Sequence, residues 1–219
     1  MKTRNMLSEE LNKLRQELAL MAARVDEDLG KAIAVLQSGD KELAKEVKAS
    51  GKLVDAMQLK IEDMALVLLA TQQPVARDLR ELITVFKLTT SLERIGDYSV
   101  HLVKAAIKLS GEPLPRSVER IERMALAGRE MLKAAFSAYI SHNAEAAREA
   151  AGMDHKIDSE HKALTEEALV LMKSNPELVK AAARLLRLSG FMERLGDHVT
   201  NICEGIVFMT DGKREALND

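Results

Sequence analysis

The chain has no tryptophan, a single cysteine, four prolines and eleven glycines among 219 residues, and only 3% of its side chains are aromatic. The lone Cys203 allows no internal disulfide and no Cys-x-x-Cys or zinc-ribbon site, and it points to a reducing, cytoplasmic setting. Scarce glycine and proline, with no β-branched runs, argue against a sandwich, a barrel or a doubly wound sheet. Uncharged stretches reach only about a dozen residues, as in Met64 to Ala76, too short to span a bilayer. The start of the chain turns amphipathic at once and lacks an apolar signal core, so secretion is not expected. Neither sign of charge dominates: 32 basic against 34 acidic residues give a net charge of −2, which leaves no global electrostatic case for nucleic acid. What remains is a chain that is 30% charged and 47% hydrophobic, the composition of a protein made almost wholly of helix.

The few breakers are well spaced. Ser38-Gly39-Asp40 offers Asp40 as an N-cap, Gln73-Pro74 places proline in a first helical turn, and Gly111 to Pro115 reads as a linker. Ser141-His142-Asn143 offers Asn143 as a further cap, and Asn175-Pro176 is the last break. Six helical segments are predicted between them: 4–37, 41–71, 74–110, 116–140, 144–173 and 176–210. They are two copies of three. A shift of 103 places Glu42, Ala44, Glu46 and Asp55 on Glu145, Ala147, Glu149 and Asp158, and a shift of 100 places Leu92 to Asp97 on Met192 to Asp197. Long helices joined by short turns run antiparallel. The expected fold is therefore all-α: two tandem antiparallel three-helix bundles related by internal duplication, over residues 1–110 and 116–219, joined by a linker at 111–115.

The third helix of each half has a three-four apolar seam, Val85, Leu88, Leu92, Ile95, Ser99, Leu102 in the first and Leu188, Met192, Leu195, Val199, Ile202, Ile206 in the second. Glu93 and Asp97 sit one residue off this seam, about 100° round the helix, and Glu193 and Asp197 repeat the arrangement. A single i,i+4 acid pair means little, because about five arise by chance at this composition and a solvated face is the ordinary explanation. The preceding helix adds weight. Asp55 follows seam residue Val54, and Asp154 and Asp158 follow Met153 and Ile157, at matching distances from the intervening turn. Each half is thus expected to gather carboxylates in the groove between its second and third helices. Such oxygen-rich clusters bind hard or borderline cations; neutralisation by Arg94 and Arg194 is the structural alternative. Gly96 and Gly196 leave room either for a metal or for close helix packing. His101 lies four residues past Asp97 and is the weakest candidate ligand, since exposed helical histidine is the usual case.

Taken together, these residues resemble the PhoU family, the phosphate-signalling accessory proteins of bacteria. The resemblance covers nearly the whole chain and rests on the repeated three-helix pattern, the segment Gln72 to Arg80, LERIGD at 92–97 and MERLGDHVTNI at 192–202. It implies multinuclear metal clusters, of iron or zinc with magnesium or manganese as alternatives. The implied ligands are Glu93 and Asp97, Glu193 and Asp197, and Asp154 and Asp158, with Asp55 the surviving acid of a fourth motif. It also implies a cytoplasmic, non-enzymatic negative regulator of the phosphate-starvation response and of phosphate uptake. Such proteins link the ATPase subunit of the phosphate ABC transporter to the phosphate-sensor histidine kinase, and tend to form homodimers; neither nucleic acid nor membrane insertion is implied. Two departures stand out. Gly51 occupies the position of Asp154, and His101 stands where Asn201 represents the family pattern. The rival readings are a ferritin-like carboxylate-bridged metal oxidase, which would require Glu-x-x-His pairs that are not found among the site residues, and a metal-free helical adaptor.

Overall fold

The computed structural model describes residues 2–110 and 115–218. Its helices are α1 (Lys2–Ser38), α2 (Lys41–Gln72), α3 (Ala76–Leu109), α4 (Pro115–Ser141), α5 (Ala144–Ala151), α6 (His155–Ser174) and α7 (Val179–Asp211). Short 3₁₀ turns at Gly152–Asp154 and Pro176–Leu178 join α5 to α6 and α6 to α7. No strand occurs among the described residues.

Both expected caps form. Asp40 accepts hydrogen bonds from the backbone N–H groups of Glu42 (2.8 Å) and Leu43 (3.1 Å), and Asn143 accepts them from Glu145 (3.0 Å) and Ala146 (3.1 Å). Gly39 and Gly212 adopt the left-handed conformation that ends α1 and α7. Three expectations are corrected, and the linker falls largely outside the described residues. Helix α3 begins at Ala76, so Pro74 lies in the turn rather than in the first helical turn. Pro176 opens a 3₁₀ turn instead of the last long helix. Residues 111–114 of the expected linker lie outside the described residues, and Pro115 already belongs to α4. The fifth predicted segment is two helices, because the chain tightens at Gly152–Asp154.

In the first half α1, α2 and α3 pack on one another; in the second, α4, the α5–α6 pair and α7 do. The predicted seams of α3 and α7 are buried throughout. Each large side chain so buried contributes about 1.5–3 kcal/mol. The two halves also share one continuous core, because α3 packs lengthwise on α7. The pair is antiparallel: Arg80 reaches the carbonyl of Met209 (3.4 Å), Thr84 that of Gly205 (3.4 Å), and Tyr98 stacks on Phe191 with ring centroids 5.8 Å apart. Both helices are consequently buried on two sides. Thr84 of α3 and Gly205 of α7, both buried, meet at this second contact. Arg15 of α1 grips the 1%-exposed Glu81 of α3 with two N–H groups (2.5 and 2.7 Å), and Arg129 of α4 likewise holds Asp26 of α1 (2.7 and 2.9 Å).

Gly205 sets the closeness of the α3–α7 contact. A Cβ there would stand 2.9 Å from Leu88 Cδ1 and 3.1 Å from Thr84 Cγ2. Gly190, on the same helix, has nothing within 4 Å of that position. Gly205→Ala is therefore expected to cost about 1–3 kcal/mol through overpacking, whereas Gly190→Ala should gain up to about 1 kcal/mol from helix propensity. Thermal denaturation of the two variants tests the pair of signs.

Candidate functional site

The second half gathers its acids. Asp154, Asp158, Glu193 and Asp197 line one cavity of about 250 Å³, together with Gly152, His155, Leu217 and Asn218. Asp154 comes from the 3₁₀ turn, Asp158 from the first turn of α6, and Glu193 and Asp197 from successive turns of α7. The second helix tightens into a 3₁₀ turn that opens at Gly152, a poor helix former. The tightened turn carries the Asp154 carboxyl against Gly196, and a Cβ on Gly196 would collide with Asp154 Oδ1. Ile157 Cδ1 would stand 3.0 Å from the same Cβ, so Gly196 admits close helix packing as well as the Asp154 carboxyl. At Gly96 only packing is served: a Cβ there would face Val54 Cγ1 at 3.3 Å.

The cluster is only weakly relieved, by Arg194 acting on Glu193 and Asp197 without an ion pair. Asp154 is pushed up to about 7, first by burial, then by the charges of Asp158, Asp197 and Glu193. Burial, and then neighbouring acids, also raise Glu193 and Asp197. Thr200 lies near enough to pull Asp154 slightly back, yet its hydroxyl and Asp154 Oδ1 both lack a hydrogen-bond partner although buried. Among the described residues no lysine or arginine pairs with these four carboxylates. Asn218 alone donates to Asp197 (3.1 Å), from a C-terminal tail that folds back over the cavity. That tail is held by Arg148, which reaches Glu215 (two contacts of 2.9 Å) and Asp211 (2.9 Å).

The first half is different. Asp55, Glu93 and Asp97 stand near one another: burial, then Asp97, raises Glu93, with a smaller push from Asp55. Arg94 partly neutralises the group, lying 3.4 Å from Glu93 and 3.7 Å from Asp97. Neutralisation by Arg94, the structural alternative, thus applies in part at this site. Gly51, in the uninterrupted α2, packs toward Val100 and supplies no counterpart of Asp154. His101 lies against α7, stacked on Phe191 with centroids 4.4 Å apart. Burial first, then Lys104, lowers its pKa. His161 shares a 2.6 Å hydrogen bond with Ser189, and His155 meets the carbonyl of Gly152 at 2.6 Å.

Oxygen donors, an orphaned buried carboxylate oxygen and a glycine cradle suit a hard or borderline cation in the second half. Among the described residues no three His, Cys, Asp or Glu side chains are drawn together into a finished cage. The shared cavity and the orphaned oxygen weigh more than that spacing, because four like charges spread apart and a cation among them reverses the force. The first half fits less well, since Arg94 already supplies positive charge there.

Fold and site together define a class: a tandem-repeat helical bundle with carboxylates gathered between the second and third helices of each repeat. The PhoU domain model matches residues 18–106 and 121–206, and the chain belongs to the PhoU family. The phosphate-specific transport system accessory protein PhoU homolog of Clostridium acetobutylicum is 33% identical over 99% of this chain and 100% of its own length. The homolog of the same name from Streptococcus pneumoniae is 32% identical over 98% of this chain and 100% of its own. The crystal structure of PhoU from Pseudomonas aeruginosa superposes with a TM-score of 0.89 at 28% identity, covering 94% of this chain and 99% of that one. The phosphate transport system regulatory protein PhoU of S. pneumoniae gives 0.88 at 31% identity, covering 95% and 99%.

The raised Asp154 makes a signed prediction for metal-free protein. Its folded pKa of about 7 exceeds the ordinary 3.8. Its contribution to stability is therefore complete below the ordinary value and is lost as pH rises through about 7. Metal-free protein should melt at a lower temperature at pH 8 than at pH 5.5. Asp154→Asn should flatten that slope and melt higher than the parent at pH 8. Thermal scans in chelator across this range are the test, and an equal slope in the variant would exclude Asp154 as its source.

Proposed function

We propose that this chain is a cytoplasmic negative regulator of phosphate uptake and of the phosphate-starvation response. It acts as a homodimer that couples the ATPase subunit of a phosphate ABC transporter to a phosphate-sensor histidine kinase, and its carboxylate clusters hold metal ions. The observation that carries this reading is the end-to-end match to relatives named as phosphate-specific transport system accessory proteins, those of C. acetobutylicum and S. pneumoniae being covered over their full length. Among the described residues no helix is long and apolar enough to cross a membrane, so in this reading the transporter is met through its ATPase subunit. The site argues for a binding role. Its polar groups are carboxylates converging on a cavity, and the sequence carries neither a phosphate-cradling glycine loop nor a nucleophile elbow.

In the second half Asp154, Asp158, Glu193 and Asp197 would hold the metal. Iron or zinc is proposed, with magnesium or manganese as alternatives; the weaker first site has Asp55, Glu93 and Asp97, with His101 turned toward Phe191. A bound cation with incomplete coordination presents positive charge that an acidic partner side chain or a phosphate can complete. The chain's own contribution is to fix that position. Gly196 admits Asp154, and Asn218 covers the rim.

Two measurements test the reading. A strain lacking the gene should express phosphate-scavenging genes in phosphate-replete medium, and the wild-type gene should restore repression; unchanged expression in the deletion strain would refute the regulator. Elemental analysis of purified Glu193→Ala/Asp197→Ala should show a loss of at least half of the bound metal. Unaltered metal content in that variant would remove the metal site while leaving the regulatory reading standing.

A further inference from the structure

A second cavity lies in the crease between α3 and α7, and its chemistry is opposite to that of the acidic one. It measures about 110 Å³, and its charged lining is Lys104 and Lys108 from α3 with Arg184 and Arg187 from α7. No carboxylate lines it. Among the described residues none of these four cations has an ion-pair partner. The apolar wall includes Phe191, whose ring is stacked under His101, so the imidazole is fixed at the edge of the cavity.

The antiparallel register explains the convergence. Thr84 meets Gly205 and His101 meets Phe191, so Lys104 falls opposite Arg187 and Lys108 opposite Arg184. The duplication does not account for it. The positions 100 residues away are Lys87, Thr84, Glu204 and Phe208, a mixed set with one cation. Four like charges around so small a space repel one another unless an anion lies between them. In a chain of net charge −2 this is a local concentration and not a general basicity.

The geometry points to a binding site for a tetrahedral phosphoryl oxyanion, with Arg184 and Arg187 on one wall and Lys104 and Lys108 on the other. Guanidinium forks pair with two oxygens at once, and ammonium groups add point charge. Two facing walls suit a dianion with three or four oxygens better than a carboxylate with two. The volume is far below the roughly 300–1,000 Å³ of pockets that enclose drug-sized ligands, so a phosphate fits and a whole nucleotide does not. The phosphoryl group can be free inorganic phosphate or the end of a phosphate monoester. This inference goes beyond the regulatory reading and does not require metal at the carboxylates.

Calorimetric titration of the full chain at low salt and pH 7, with inorganic phosphate, glycerol phosphate and acetate in parallel, tests it. Phosphate or the monoester should bind, acetate at least tenfold more weakly, and the tighter of the first two identifies the source. Lys104→Gln/Arg187→Gln, at exposed positions, should weaken binding at least tenfold with an unchanged circular dichroism spectrum. Lys108→Gln alone should weaken it several-fold. Asp154→Asn/Asp197→Asn should leave it unchanged. Because the anion joins walls from both halves, saturating phosphate should also raise the melting temperature of the parent but not of the double variant. No heat with either phosphate, equal affinity for acetate, retained affinity in the lysine–arginine variant, or loss confined to the aspartate variant would each overturn the site.

Discussion

The close antiparallel contact between α3 and α7 is the constraint on which the rest depends. Each of these helices already spends one face on the seam of its own bundle. The contact between them takes a second face, and it is possible because Thr84 and Gly205 are small enough there. With two faces committed, charged side chains are confined to the strips alongside. Glu93, Asp97, Glu193 and Asp197 lie on the strips turned toward the second helix of each half, whereas Lys104, Lys108, Arg184 and Arg187 lie at the mouth of the contact itself. Both charged sites therefore follow from how one pair of helices packs.

Duplication supplied two similar frames, and substitution made them unequal. In the second half Asp154 approaches a glycine, lies half-buried, and joins three other acids with no arginine among them. In the first half Gly51 stands in its place, α2 runs on without a break, and Arg94 meets both Glu93 and Asp97. Removing one acid and pairing the remainder with arginine are two responses to one problem, the repulsion among half-buried carboxylates. The half that adopted neither keeps the larger repulsion. The same difference decides what the helical glycines do, since Gly196 faces a carboxylate and Gly96 faces Val54.

Much of this was legible in the residues. The caps at Asp40 and Asn143 carry their own signal, because a short polar side chain before an apolar period satisfies the free N–H groups of a first turn. The seams were legible because burial on one face imposes a period of 3.6, and the acids were placed by their fixed offset from it. Three features carry no periodic signal. The tail from Gly212 to Asn218 is irregular, so nothing in its pattern announces that Asn218 bonds Asp197. The break at Gly152 is announced by no proline and no change of period, and a lone glycine such as Gly190 also sits inside an unbroken helix. The second buried face of α3 and α7 joins residues as unlike as Thr84, Gly205, Tyr98 and Phe191, which form no apolar period, so the sharing of one core by the two halves, and with it the basic cavity, was invisible.

The nearness of opposite charges on one rigid helix has a thermodynamic consequence. Asp97 and Lys104 are seven residues apart on α3, about 10 Å at 1.5 Å per residue. Two unit charges at that separation interact by about 0.4 kcal/mol in bulk water and about 1.7 kcal/mol at an effective dielectric near 20. On the proposed readings of both sites, a cation held by Glu93 and Asp97 would reduce the negative potential that these acids cast on the neighbouring basic cavity and so strengthen its hold on an anion, and by reciprocity the anion would strengthen the cation by the same factor. Physiological salt, with a screening length of about 8 Å, trims the exposed part of this coupling, while the half-buried Glu93 retains more of it. No moving part is required, because α3 and α7 serve as the fixed frame through which the two fields add.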